Sequence, residues 1–168
     1  MDKDKVCCFT GHRPEKIGFS KNEISKRLEA YIDEAISDGY DTFISGMARG
    51  TDMWAADIVL KKKHENKKIK LICAVPYNGF ERRWAYSDKM QYRFILDNAD
   101  SVSYISPRYT PYCFQARNIW MVDKSSRIIA VFNGSSGGTM NTIKYAVRND
   151  VAIKNILISP FSTRFPLD

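Results

Sequence analysis

Two glycine-bearing turns hold the residue types that could do chemistry. Phe43-Ile44-Ser45-Gly46-Met47-Ala48-Arg49-Gly50-Thr51-Asp52 and Ile128-Ile129-Ala130-Val131-Phe132-Asn133-Gly134-Ser135-Ser136-Gly137-Gly138-Thr139 each join a short apolar run to a helix-like pattern. A strand that ends in glycine and feeds a helix exposes backbone N–H groups beside the positive end of the helix dipole, which suits phosphate. Two such turns in one small chain point to a nucleotide-sized anionic ligand. The second turn offers glycines, three hydroxyls and no acid, and the next carboxylate downstream is Asp150, so phosphate is expected there. The first turn carries Asp52 in the opening turn of its helix. A carboxylate repels phosphate, so Asp52 is expected to cap the helix, to accept hydrogen bonds from ribose hydroxyls, or both.

Arginines cluster around the same segments. Arg13, Arg49, Arg108 and Arg117 fall near strand ends or on the helices that follow, and their forks bind phosphate bidentately. Arg13 and Arg117 are the best placed. His12 is either a general acid or base or a loop-bracing hydrogen-bond partner. Trp84, in the segment Phe80–Tyr86, either stacks on a base or packs into the core. The expected ligand-binding set is therefore Gly11, His12, Arg13, Ser45, Gly46, Arg49, Gly50, Asp52, Arg117, Asn133, Gly134, Ser135, Gly137, Gly138 and Thr139. Neither turn is a G-x-G-x-x-G fingerprint, and no Gly-Lys-Ser/Thr occurs. No residue is assigned a catalytic role. Four cysteines without a C-x-x-C and two histidines make no zinc site.

These residues need elements to position them, and the chain alternates strand-like and helix-like segments throughout. Strands are predicted at Lys5–Thr10, Asp41–Ser45, Lys70–Val75 (ended by Pro76), Ser101–Ile105, Arg127–Phe132 and Asn155–Ser159. The first helix opens on the capping box Ser20-Lys21-Asn22-Glu23, continues with Ile24, Leu28, Tyr31, Ile32, Ala35 and Ile36 at helical spacing, and is closed by Gly39. Further helices are predicted at Thr51–Lys62, Ser87–Asn98, Phe114–Lys124 and Thr139–Arg148. This order argues for an α/β fold, a three-layer sandwich with a mainly parallel sheet and helices on both faces. Right-handed crossovers bring every strand's C-terminal end to one edge, where ligands bind. That edge receives Gly11–Pro14, Gly46–Asp52, Pro76-Tyr77, Ser106–Arg108 and Asn133–Thr139.

A chain of 168 residues reads as a single domain over 1–168, with 160–168 as a coil tail. The apolar runs are too short for a membrane span, and no signal peptide is visible, so the expectation is a cytoplasmic protein without a membrane partner. Cys7, Cys8, Cys73 and Cys113 read as reduced thiols, mostly in the core. The formal net charge is +7, part of it in Lys61–Lys70. That run is either a solvated helix end or a nucleic-acid patch.

As a set, Thr10-Gly11-His12-Arg13-Pro14, Ser45-Gly46-Met47-Ala48-Arg49-Gly50-Thr51-Asp52, Arg117-Asn118-x-x-Met121-Val122-Asp123 and Gly137-Gly138-Thr139 resemble the YpsA-like branch of the SLOG superfamily. The resemblance spans nearly the whole chain in order. It implies a Rossmann-like fold shared with the LOG phosphoribohydrolases, the DNA-uptake protein DprA and proposed sensors of nucleotide-derived signals. The LOG enzymes carry P-G-G-x-G-T-x-x-E; here Thr142 stands where that glutamate would be, and a threonine cannot stabilise oxocarbenium-like charge. Three functions follow as expectations. The leading one is a sensor or regulatory domain that binds a nucleotide or an ADP-ribose-like ligand. The second is an N-glycosidic hydrolase of nucleoside monophosphates. The third is a single-stranded DNA binder, from the DprA-like first turn. A homodimer is also expected.

Overall fold

The strands of this chain read as almost unbroken apolar runs, because both faces of the sheet they form are covered. The computed structural model describes residues 1–157. In chain order the elements are β1 (Val6–Gly11), α1 (Lys21–Ser37), β2 (Thr42–Ser45), α2 (Thr51–Glu65), β3 (Lys70–Tyr77), α3 (Tyr86–Asn98), β4 (Ser101–Ser106), α4 (Cys113–Asp123), β5 (Arg127–Phe132), α5 (Gly138–Arg148) and β6 (Ala152–Leu157). The six strands pair in the order β4-β3-β2-β1-β5-β6, all parallel. This is a Rossmann-like α/β sandwich.

Alternation along each strand divides the core in two. Cys7, Phe9, Phe43, Leu71, Cys73, Val75, Ile129 and Val131 face α1, α2 and α3. Val6, Cys8, Ile44, Ala74 and Ile128 face α4 and α5. Register explains the consistency: Cys7 lies opposite Phe43 and Phe43 opposite Leu71, so like faces meet across the sheet. All four cysteines are buried and free.

Local chemistry sets the helix ends. At α1 the Ser20 hydroxyl accepts from Glu23 N at 3.3 Å, and Ser20 N donates to the Glu23 carboxylate at 2.9 Å. Behind this box Ile24, Leu28, Ile32 and Ala35 are buried, and Gly39 follows with φ +96°. Three boundaries differ from the sequence expectation by more than one residue. Pro76 does not end β3, whose pairing with β4 continues through Tyr77 opposite Ser106. Strand β2 has already ended opposite Cys73, so a missing amide on that side loses no ladder bond. Helix α2 continues to Glu65, its lysines adding a last turn capped by Asn66 N donating to Lys62 O. Strand β6 begins at Ala152, because a turn at Asp150 (φ +56°) brings Ala152 N to Ser126 O. Ile158 and Ser159, the end of the sixth predicted strand, and the predicted coil tail 160–168 lie outside the described residues.

The N-terminal edge of the sheet is held by ion pairs. Arg127 reaches Asp38 at 2.8 Å and its guanidinium lies 4.4 Å over the Tyr40 ring. Lys62 joins Glu29 and Asp33, and Lys63 joins Asp100. Two lysines of the conspicuous run thus tie α2 to α1 and to the start of β4. Among the described residues no helix is long and apolar enough to cross a membrane.

Leu28, fully buried in α1, and the exposed cap Ser20 separate core from cap energetics. Leu28→Ala is expected to cost about 2–5 kcal/mol in urea unfolding, and Ser20→Ala about 1 kcal/mol.

Candidate functional site

The strand order reverses between β1 and β5. From β1 the chain builds outward to β4, then α4 carries it back to place β5 on the other side of β1. The loops leaving these two strands therefore diverge, and ligands bind in the crevice they open. A cleft of about 610 Å³ occupies this place. It is lined by Gly11, His12, Arg13 and Lys16 at and after the end of β1, by Ala48, Arg49 and Asp52 from the turn between β2 and α2, and by Ser136, Gly137, Gly138 and Thr139 at the start of α5. Arg117 and Asn118 of α4 complete its polar lining.

His12 braces the crevice. Its backbone N donates to Val131 O at 3.2 Å, and its Nε2 accepts from Asn133 N at 3.4 Å. An acceptor at Nε2 leaves the ring proton on Nδ1, so the imidazole is neutral. Burial lowers its pKa, the Asn133 contact opposes this, and Lys16 adds to it. The ring also lies against Phe132, centroids 5.7 Å apart. This is the loop-bracing alternative for His12.

The β2–α2 turn is closed on itself. Ser45 Oγ accepts from Met47 N at 3.2 Å and donates to Asp52 O at 2.8 Å, and Asp52 Oδ2 accepts from Ala48 N at 3.3 Å. Gly50 caps α2 at φ +87°, and a Cβ there would meet the Pro14 ring at 2.8 Å and His12 O at 3.0 Å. Thr51 Oγ1 donates to His12 O at 3.2 Å, which locks this turn to the one after β1. Ser45, Gly46 and Gly50 are buried and shape the turn; they do not line the cleft.

Arg117 is only 6% exposed. Its Nη1 donates to Gly46 O and lies 3.7 Å from Asp52 Oδ2, while its Nε donates to Asn118 Oδ1 at 2.8 Å. A Cβ on residue 46 would overlap the guanidinium, so a side chain there would displace Arg117. Among the described residues Nη2 makes no hydrogen bond. Burial pushes the Asp52 carboxyl up to about 6, against the pull of Arg117 and of Ala48 N–H. Burial likewise lowers the Arg117 pKa, and Asp52 opposes it. Both partners move toward neutrality, so desolvation outweighs their attraction across 3.7 Å. Arg117 is held chiefly by the Gly46 carbonyl.

The other arginines divide. Arg49 is neutralised by Glu15 at 2.8 Å and Asp88 at 3.7 Å. Arg13 is exposed and forms no ion pair with a described residue, and exposed Lys16 stands beside it in the lining. Asn133, Gly134 and Ser135 make a turn in which Ser135 N donates to Asn133 Oδ1 at 3.0 Å; the cleft begins one residue later, at Ser136. Gly137 caps α5 at φ +140°.

One wall was not foreseen as a unit from the sequence. Tyr77, Phe80, Trp84 and Phe114 line the cleft, the first three from the β3 side of the sheet, across β2 and β1 from the turn after β5. Their rings meet edge to face, Phe80 lying 4.8 Å from Trp84, 5.9 Å from Tyr77 and 5.9 Å from Phe114. Trp84 packs on Tyr92 at 5.4 Å and also lines the cleft. Tyr77 belonged to a strand-end segment already singled out, and that placement was the available signal. Phe114 and Lys16 had none.

Asp52 gives the site a pH signature. In the folded chain it keeps its proton to about 6, against an ordinary 3.8. Its contribution to stability is therefore complete below 3.8 and is lost as pH rises through 6, by about 1.4 kcal/mol per unit of separation. Asp52→Asn, which keeps the neutral form, should gain stability on the wild type between about pH 4 and pH 7 in urea unfolding. A constant difference across that range would mean that Asp52 titrates normally.

Comparison with known proteins agrees with this architecture. The chain is 29% identical over 159 residues to a UPF0398 protein of Bacillus thuringiensis (strain Al Hakam), covering 90% of this chain and 86% of the relative. The same figures hold for a UPF0398 protein of Bacillus cereus (strain Q1). The fold is similar to that of DNA processing protein A (DprA) from Streptococcus pneumoniae, with TM-score 0.69 at 20% identity, covering 95% of this chain. This chain spans about half of that protein, 53%. It is also similar to DprA from Helicobacter pylori, described for its single-stranded DNA binding mode, with TM-score 0.68 at 16% identity over 95% of this chain and 68% of that one. The model of the YpsA family, described as the YspA SLOG family, matches residues 7–161, and the chain belongs to that family.

Proposed function

We propose that the cleft binds a nucleotide or a nucleotide-derived ligand, and that the protein acts as a sensor or regulatory domain. One observation carries this reading. The lining of the same cleft of about 610 Å³ combines cations and a helix N-terminus with aromatic rings. The helix start follows β5, and the rings of Tyr77, Phe80 and Trp84 end or follow β3, on the opposite side of β1 in the strand order. A ligand that fits it has an anionic end and a flat, uncharged end, and a nucleotide joins the two through a polar sugar. Phosphate belongs at Ser136–Thr139, where α5 begins, with Arg13 and Lys16 beside it. The base belongs against Phe80 and Trp84. Between them Arg117 Nη2 and Asp52 are left for ribose or a second anionic group. The volume lies within the range of small-molecule sites and leaves room for an ADP-ribose-like ligand.

The hydrolase alternative loses support at Thr142. This residue is 2% exposed, its hydroxyl donates to Gly138 O at 2.8 Å, and it does not line the cleft. Among the described residues that line the cleft, the one carboxylate is Asp52.

Gly138 provides the test. It is the first residue of α5, and a Cβ there would meet nothing within 4 Å. Gly138→Asp therefore puts a carboxylate at the phosphate position without strain, at a helix end that favours acids. Calorimetry with AMP, ADP-ribose and NAD is expected to show binding that Gly138→Asp weakens at least roughly tenfold while its melting temperature holds or rises. The nucleotides should be recovered intact. No heat from any of the panel would remove the proposal.

A second reading, single-stranded DNA, is supported by the +7 charge and by the likeness to DprA. A strand would follow Arg13 and Lys16, since Lys62 and Lys63 are paired at the opposite edge. Gel shifts with single-stranded DNA should then weaken steeply with salt and with Arg13→Ala; no shift at low salt ends this reading.

A further inference from the structure

Two buried side chains on the floor of the cleft each keep one polar atom without a partner. Arg117 gives Nη1 to Gly46 O and Nε to Asn118 Oδ1, and its Nη2 meets no acceptor among the described residues. Asp52 takes Ala48 N on Oδ2, and its Oδ1 receives no hydrogen bond from a described residue. Both residues are only 6% exposed, and both line the cleft. Neither Nη2 nor Oδ1 is among the described atoms that burial seals away without a partner, so both remain reachable from the cleft. The floor thus offers a ligand one donor and one acceptor.

This pair of atoms suits an uncharged group. The guanidinium and the carboxylate lie 3.7 Å apart, and their charges cancel. A second phosphate on Nη2 would also have to approach Asp52. A hydroxyl both accepts and donates. A vicinal diol therefore answers the floor, one hydroxyl accepting from Nη2 and the other donating to Oδ1. The strand order supports that placement. Along β3-β2-β1-β5 the rings of Tyr77, Phe80 and Trp84 come first and the start of α5 comes last. Asp52, and Gly46 which holds Arg117, belong to the turn after β2, between the two. In a nucleotide the sugar lies between the base and the phosphate.

The base side is different in kind. Its rings offer a face on which any base can stack. Among the described residues that line the cleft, Asp52 and Asn118 are the amide or carboxylate side chains, and both belong to the floor. What remains beside the rings is the Trp84 N–H, a donor, and the Tyr77 hydroxyl, which serves as either. Adenine and guanine both carry the N7 acceptor and differ at position six, where one has a donor and the other an acceptor. No matched pair of groups on this wall tells them apart.

We propose that the cleft reads the sugar of its ligand and not the base, taking 5′-ribonucleotides in preference to their 2′-deoxy counterparts through Asp52 Oδ1 and Arg117 Nη2; this rests on the nucleotide reading given above. Calorimetry with AMP, 2′-deoxy-AMP and GMP on the wild-type chain tests it. A deoxy sugar leaves a buried polar atom unpaired, so 2′-deoxy-AMP should bind at least about tenfold more weakly than AMP. AMP and GMP should agree within about threefold. Asp52→Ala removes the acceptor, and the ratio of AMP to 2′-deoxy-AMP affinity should then fall to about one, through loss of AMP affinity. Circular dichroism checks that this variant folds; if it does not, the wild-type comparison decides alone. If AMP and 2′-deoxy-AMP bind alike, if GMP departs far from AMP, or if folded Asp52→Ala keeps the wild-type ratio, the inference is overturned and the nucleotide reading stands. Binding by none of the three would remove both.

Discussion

A guanidinium buried in protein must be given acceptors, and the floor of the cleft is organised around that requirement. Arg117 comes from α4, on one face of the sheet, and ends against the turn between β2 and α2. The Gly46 carbonyl, the Asn118 amide oxygen and the Asp52 carboxylate surround it. A side chain at residue 46 would displace the guanidinium, the turn folds back so that Ala48 N reaches Asp52, and α2 starts where Asp52 is held under cover. Removing the arginine would leave a raised-pKa carboxyl and an unclaimed carbonyl in a buried place, a costly combination.

The second organising contact is His12, which joins the loops on either side of the strand reversal. A neutral ring accepting from Asn133 N holds together two segments that the topology sends in opposite directions. The crevice is therefore open by topology and fixed in width by the two hydrogen bonds of His12, to Val131 O and from Asn133 N, and by the ring contact with Phe132.

Local signals were legible in the sequence because they are local. The Ser20–Glu23 box, the Ile24–Ala35 periodicity and the apolar runs before each glycine turn all act within a few residues, and each appears where expected. What was hidden depends on distance along the chain. Whether Gly46 faces a ligand or an arginine is decided by a residue 71 positions away. The aromatic wall joins Tyr77 at the end of β3 and Phe80 and Trp84 in the connection that follows to Phe114 of α4, and no single window contains it. Pro76 misled because its cost depends on whether a neighbouring strand is still present at its level. For α5 the sequence pointed to Asn133–Thr139 as a unit, whereas the fold uses the first part as a turn and brings only the last to the cleft.

Because every strand points the same way, the two rims of the sheet have different occupations. One gathers the glycine turns, the buried arginine and the aromatic rings. The other carries Asp38 with Arg127, Glu29 and Asp33 with Lys62, and Lys63 with Asp100. Exposed or half-exposed pairs of that kind contribute little individually, so exchanging one for another pair leaves the architecture intact. Descendants of such a chain are free to drift at the pole that only fastens, while retaining the pole that holds the cleft, and a change of solubility or of thermal tolerance need never pass through the cleft.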